Sequence, residues 1–222
     1  MSAFDVKASQ GNVSEIPPAG AHPAVVVAVV DLGTHREVYK DDKKGEREAL
    51  VRKVFICWEL TAERCAGFNR NHVIGREYTL TFSPKSKLRQ MLEGWRGKKF
   101  NPDEAFNLGK ILGQPCLATV THGKSNAENT YAKLDSVAPV PKGLQVPKPG
   151  LTPFLWEIGQ GEFPNQTWLP YTFYNGERKP LKDVIEKSAE WRQLAGGAAA
   201  DGNGAPKGEL VSAGAGTDEI PF

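Results

Sequence analysis

The sequence predicts a mainly β protein built around a small five-stranded barrel with a helical insert. The first observation is the order of patterns: three strand-like runs, a helix-like run and two more strand-like runs follow one another over about 120 residues. The second is composition, since 40% hydrophobic and 24% charged residues suit a globular domain with a buried core. A third is the short, polar or glycine-containing turns between the runs, which favour hairpins.

Three strands are predicted to open the barrel. Residues 22–33 ("HPAVVVAVVDLG") carry valines on both alternating faces, which is typical of a strand buried on two sides. The charged residues 34–49 are expected to form a long hairpin loop. The return strand, residues 50–60, has a predicted core face of Val54, Ile56, Trp58 and Leu60, and a mixed face of Lys53, Phe55, Cys57 and Glu59. Residues 75–84 are predicted to be the third strand.

A helix and two further strands complete the predicted set. Ser86 is a suitable N-cap for residues 87–96, whose apolar positions share one stripe, and Gly97 is expected to end that helix. Asp103 is expected to cap a shorter helix over residues 104–113. Residues 115–123 and 131–140 are the predicted fourth and fifth strands. This order, with one helical insert after the third strand, is that of the five-stranded OB barrel.

Four segments are predicted along the chain. Residues 1–20 are a leader, residues 21–142 the barrel, residues 143–194 a C-terminal extension, and residues 195–222 a disordered acidic tail. The extension begins with a proline-rich connector and is unusually aromatic, so it is expected to pack on the barrel. The tail carries four acids and one base, which makes it −3 and leaves +5 on the rest of a chain whose net charge is +2. A basic body with an acidic tail is typical of proteins that bind a polyanion.

The three cysteines, Cys57, Cys65 and Cys116, favour a reducing compartment such as a cytoplasm. They and His72 lack the close spacing of a structural zinc site, so buried thiols are expected and neither a metal nor a cofactor is predicted. There is no apolar run of the length that spans a bilayer and no secretion signal, so no membrane association is predicted.

Binding of a single-stranded nucleic acid requires cations along the phosphates and flat side chains on which bases stack. The charged hairpin and residues 84–100, which carry six bases and one acid, supply the cations. Phe55, on the mixed strand face, is the aromatic expected to stack on a base. The candidate nucleic-acid-binding residues are Arg36, Tyr39, Lys40, Lys43, Lys44, Arg47, Lys53, Phe55, Trp58, Arg76, Tyr78, Lys85, Lys87, Arg89, Lys124 and Tyr131.

Catalysis is not predicted. The sequence contains no phosphate-binding glycine loop, no H-E-x-x-H and no G-x-S-x-G motif. Carboxylates on the predicted strands (Glu59, Glu77 and Asp135) leave a metal-dependent nuclease as an alternative, although their spacing forms no motif.

The chain ends in "TDEIPF", after a linker rich in glycine and alanine. This ending resembles the C-terminal tip of the bacterial and phage single-stranded DNA-binding proteins, which are OB-fold proteins that end in acids followed by Ile-Pro-Phe. The leader, the aromatic extension and the short linker depart from the bacterial pattern, so the resemblance is to a divergent, phage-type member.

The resemblance implies a protein that binds and protects single-stranded DNA, without strong sequence preference, during replication, recombination and repair. It implies that this protein acts in the cytoplasm of a bacterial cell or a phage-infected host. It also implies that the tip recruits partner enzymes of those processes, with self-association as a further expectation. The residues implied in partner docking are Asp218, Glu219, Ile220, Pro221 and Phe222. An RNA-binding OB protein, a metal-dependent nuclease and a protein-interaction adaptor remain the alternatives.

Overall fold

The computed structural model describes most of the chain between residues 16 and 196. The described residues are 16–41, 45–101, 104–125, 128, 130–164, 166–174 and 177–196, without the side chains of 40, 41, 173, 174 and 177. The predicted leader up to residue 15, the tail from residue 197 and its docking tip lie outside the described residues. Lys43, Lys44 and the proposed cap Asp103 also lie outside them.

The fold is mainly β. Its main sheet has the strand order β3-β2-β1-β4-β5, and β6 pairs in parallel with the middle of β1. A small second sheet pairs β7 with β8. The strands are β1 Gly20–Asp41, β2 Gly45–Cys65, β3 Arg70–Thr79, β4 Pro115–Lys124, β5 Thr130–Ala138, β6 Phe154–Trp156, β7 Thr172–Tyr174 and β8 Glu177–Lys179; the helices are α1 Lys87–Arg96, α2 Leu181–Ile185 and α3 Ala189–Leu194.

The charged segment predicted as a hairpin loop is instead a long two-stranded ribbon. β1 and β2 stay paired from Ala24↔Leu60 to Asp41↔Gly45, with register shifts only near Val26 and Asp31. Opposite charges across the ribbon explain why so polar a segment keeps strand structure, because cross-strand ion pairs stabilise antiparallel pairing. The third strand also differs from its prediction: it begins earlier, at Arg70, and ends at Thr79.

The helix predicted after the third strand is confirmed in its caps and its buried stripe. The Ser86 hydroxyl accepts a hydrogen bond from the Arg89 amide at 3.2 Å, and Gly97 ends α1 with a φ of 67°. Leu88, Leu92 and Trp95 are buried. The second predicted helix is wrong, since the described part of residues 104–113 contains only the 3₁₀ turn Leu108–Ile111, capped by Asn107.

Two apolar clusters lie on opposite faces of the sheet. The first contains the predicted core face of β2 and the buried side of α1. The second contains Phe55 and Cys57 from the mixed face of β2, and the C-terminal extension covers it. The extension contributes Trp156, Phe163, Leu181, Val184 and Ile185 to this cluster. The extension therefore packs against this face of the sheet.

Polar contacts also fasten the extension to the sheet. The carboxylate of Glu59, 1% exposed, accepts hydrogen bonds from the amides of Gly150 at 2.8 Å and Leu151 at 2.9 Å. The carboxylate of Glu190 accepts hydrogen bonds from the amide of Thr34 at 2.7 Å and from the hydroxyl of Thr34 at 2.6 Å. These two contacts attach the beginning and the end of the extension to different strands.

β3 and β5 form the two edges of the main sheet, so its ladder is open in the described part of the chain. The antiparallel pairings make these two strands run in the same direction. The guanidinium of Arg76 on β3 donates from Nη1 to the carbonyl oxygens of Leu134 and Asp135 on β5, both at 3.1 Å. We call the region where Arg76 joins β3 to β5 the β3–β5 seam.

Candidate nucleic-acid interface

The ribbon contains many of the predicted DNA-binding cations, but much of its charge is neutralised internally. Arg36 pairs with Glu48 at 3.1 Å, and the Tyr39 hydroxyl donates to Glu37 at 2.7 Å. Arg47 is exposed, and among the described residues no carboxylate lies within 4.0 Å of its guanidinium. The Lys40 side chain, Lys43 and Lys44 are not among the described atoms. The ribbon is therefore a weaker polyanion surface than its count of bases suggests.

Lys53 is not available to bind DNA, which corrects its prediction as a binding residue. It is 8% exposed and forms ion pairs with Glu37 and, at 2.7 Å, with Glu77. Burial disfavours its charged form, but the hydrogen bonds to the two carboxylates outweigh this effect and raise the pKa of Lys53. The ammonium group therefore links the ribbon to β3.

Four more predicted binding residues are buried: Phe55, Trp58, Tyr78 and Arg89 are 1%, 0%, 3% and 4% exposed. The Phe55 ring lies across Gly75 of the neighbouring strand, where a β-carbon would overlap it, and the extension covers it. Arg89 donates to Glu93 at 2.9 Å and to the carbonyl oxygen of Phe100 at 2.7 Å. This burial argues against the expected stacking or phosphate-binding roles of Phe55, Trp58 and Arg89, whereas Tyr78 also lines the groove described next.

A groove of about 390 Å³ lies where α1 meets the β3–β5 seam, and three predicted residues line it: Arg76, Tyr78 and Lys87. Burial raises the pKa of Tyr78 to about 12, so its ring is a neutral apolar part of the lining, and the Arg76 guanidinium lies 5.3 Å from the ring centroid. The other lining residues are Gln90, Met91, Gly94, Asp135, Ser136 and Val137, of which Asp135 is the one acid. The groove thus combines apolar and amide groups with two cations.

Further cations and an exposed ring continue along β5 from this groove. Tyr131 is 38% exposed, and its ring lies over Gly123 of the paired strand, at 2.8 Å from an ideal β-carbon position there. Lys133 is exposed beside it, and Lys124 is exposed at the same hairpin end but on the other face, since it pairs with Thr130. Lys133 is missing from the sequence-based candidates, although the strand alternation "YAKLD" places it on the same face as Tyr131. We define the seam surface as Arg76, Lys87, Lys124, Tyr131 and Lys133.

The cations of the seam surface are not neutralised by neighbouring acids. In the part of the chain that the structure describes, no carboxylate lies within 4.0 Å of Lys87, Lys124 or Lys133, and the bonds from Arg76 go to carbonyl oxygens. Lys85, just before α1, is also exposed and has no described carboxylate within 4.0 Å. A polyanion gains most from cations of this kind, because it does not have to displace an existing ion pair.

Two of the three carboxylates considered for a nuclease are used elsewhere, and the third, Asp135, lines the groove. Glu59 holds the extension and also accepts from Asn71 at 2.6 Å, while Glu77 pairs with Lys53 and accepts from Thr172 at 3.1 Å. The described residues contain no group of three or more His, Cys, Asp or Glu that could hold a metal ion. Burial raises the pKa of the Cys57 and Cys116 thiols, so both are poor ligands and nucleophiles.

Comparison with known proteins gives no independent assignment: neither the protein-family models nor the curated proteins include a match to the chain. Across the described residues, the helices are all too short or too polar to cross a membrane.

Proposed function

We propose that this protein binds single-stranded DNA along the seam surface, and that its C-terminal tip recruits enzymes of replication, recombination or repair. The observation that carries the proposal is a set of lysines without ion pairs in the described structure, on α1, β4 and β5, near a groove at the β3–β5 seam and an exposed tyrosine ring on β5. Phosphates would displace counterions at the lysines, while bases would stack on Tyr131 or enter the groove.

The strand order supports an OB-type barrel as the scaffold. The observed path β3-β2-β1-β4-β5, with α1 between β3 and β4, is the order of the five-stranded OB-fold, in which the two end strands approach each other. Arg76 joins those end strands through two hydrogen bonds. Barrel closure at this seam is part of the proposal, and it places the binding surface where the two edge strands meet.

The first test is a titration of the full-length protein with a fluorescent oligo-dT and with a duplex of equal length, at several salt concentrations. We expect preference for the single strand and a logarithmic affinity that falls by about 0.7 for each contacted phosphate per logarithmic unit of salt. Equal affinity for duplex, or no binding at low salt, would overturn the proposal. A matched RNA oligomer in the same titration distinguishes a DNA-binding from an RNA-binding protein.

The tip has a separate test. Deletion of residues 216–222 should preserve or tighten oligo-dT binding, because it removes a tethered anion that competes for cations, and should abolish capture of partner enzymes. Weaker DNA binding by the truncated protein would contradict this role.

A further inference from the structure

The β2–β3 turn carries an exposed aromatic ring between two arginines. Phe68 is 64% exposed and ends a single 3₁₀ turn, Ala66–Phe68, after which Asn69 adopts a left-handed φ of 48°. A side chain as apolar as Phe gains free energy from burial, so its presentation at a tight turn suits a ring that is covered only when a partner binds.

The two arginines hold the turn without being neutralised. The guanidinium of Arg70 lies 5.1 Å from the centroid of the Phe68 ring, and Arg64 donates to the side-chain oxygen of Asn69 at 2.8 Å. The segment 64–71 contains these two cations and no acid, and within the described residues neither guanidinium has a carboxylate within 4.0 Å. An aromatic ring flanked by unpaired guanidinium groups is a combination that suits a base and its phosphates.

The topology brings this turn to the same end of the sheet as the hairpin of the seam surface. Cys65 pairs with Arg70 at the β2–β3 turn, and Lys124 pairs with Thr130 at the β4–β5 turn. Because β3 and β5 run in the same direction, both turns precede the level at which Arg76 reaches β5. At about 3.3 Å per residue, Arg70 lies about 20 Å and Tyr131 about 10 Å before that level.

We propose that Phe68, with Arg64 and Arg70, is a second base-stacking site, and that one single strand runs from the α1 groove past Tyr131 to the β2–β3 turn. This inference rests on the proposed function and extends it, since it gives the path of the strand and adds a contact outside the seam surface. The occupant is a nucleobase of single-stranded DNA, whose flat face matches the ring and whose phosphates match the guanidinium groups.

The variants Phe68→Ala and Phe68→Trp test the proposal in the full-length protein, with Leu194→Ala as the matched control because Leu194 is also 64% exposed. Removal of a stacking ring costs about 1–3 kcal/mol per base, so Phe68→Ala should weaken oligo-dT binding by about fivefold or more. Phe68→Trp should retain the affinity and show additional fluorescence quenching on binding, relative to wild type. Leu194→Ala should bind like wild type.

The outcomes separate this inference from the function on which it rests. If wild type does not bind oligo-dT, the proposed function fails. If wild type binds, while Phe68→Ala keeps full affinity and Phe68→Trp shows no extra quenching, the second site is overturned and the seam surface is retained. Far-ultraviolet circular dichroism of each variant checks that the fold is intact.

Discussion

Neutralising the three lysines of the seam surface should reduce both the affinity for single-stranded DNA and its salt dependence. The variant is Lys87→Gln, Lys124→Gln and Lys133→Gln together. All three side chains are exposed and, within the described structure, have no carboxylate within 4.0 Å, so their replacement breaks no ion pair. The free energy of unfolding should therefore change little, because substitutions at such surface positions cost about 0.5 kcal/mol or less.

The magnitude follows from counterion release. If each lysine neutralises one phosphate, the slope of logarithmic affinity against logarithmic salt should become shallower by about 2.1, three times the value of about 0.7 for one contact. Extrapolated from 1 M to 0.1 M salt, this corresponds to an affinity loss of about 100-fold. Arg76 is excluded from the variant because its hydrogen bonds join β3 to β5.

The assay is fluorescence anisotropy of a labelled oligo-dT at four or more salt concentrations. The control is Lys142→Gln, Lys148→Gln and Arg192→Gln, which removes the same charge from exposed positions outside the seam surface. The slope of logarithmic affinity against logarithmic salt should differ between the control and wild type by less than about 0.7, the value for one contact. An equal loss in both triple variants would show that net charge alone governs binding, and would refute the assignment to the seam.

Three further predictions concern the extension and the buried face of β2. Glu59→Gln should lower the free energy of unfolding by about 1–3 kcal/mol, since the amide of Gly150 or Leu151 loses its acceptor at a buried side chain. Chemical denaturation should show no such loss for the exposed Glu157→Gln. Phe55→Ala should destabilise the fold by about 3–5 kcal/mol and leave the DNA affinity of the folded protein unchanged, whereas reduced affinity at unchanged stability would restore Phe55 as a stacking residue. Burial opposes ionisation of Glu190, but the hydrogen bonds from Thr34 outweigh it and lower its pKa below the ordinary 4.5; the stabilisation is present above 4.5 and is lost as pH falls through the lowered pKa. Thermal unfolding between pH 6 and pH 3 should therefore depend less on pH in Thr34→Val, and identical profiles would show that this contact contributes no acid sensitivity.

Local patterns in the sequence were sufficient to predict the order of β1 to β5, the core face of β2 and the capped helix. Val54, Ile56, Trp58 and Leu60 alternate at the strand period and are all buried. The caps at Ser86 and Gly97 are local chemistry, so they could be identified without tertiary information. The ribbon was missed because its strands are stabilised by pairs such as Arg36–Glu48, which become neighbours only when the register is known.

The burial of Phe55 and Lys53 could not be predicted from the alternation of β2. The cover over Phe55 comes from the extension about one hundred residues later, and the partners of Lys53 come from the ribbon and β3. For the site, the sequence supplied Arg76, Lys87, Lys124 and Tyr131, but the groove that Arg76 and Lys87 share depends on how β3, α1 and β5 meet. Phe68 was missed because a single aromatic in a turn has no periodicity, although the acid-free "RCAGFNRN" around it was a readable signal.

Photocrosslinking tests the central claim, that single strands bind along the seam, most directly. The full-length protein would be irradiated with oligo-dT in which bromodeoxyuridine replaces single thymidines, and the attached residues mapped by mass spectrometry. The account predicts crosslinks at Tyr131 and, from the far end of the strand, at Phe68. Crosslinks confined to the extension, for example at Tyr171, which is 51% exposed and lies 4.6 Å from the Arg178 guanidinium, would contradict it.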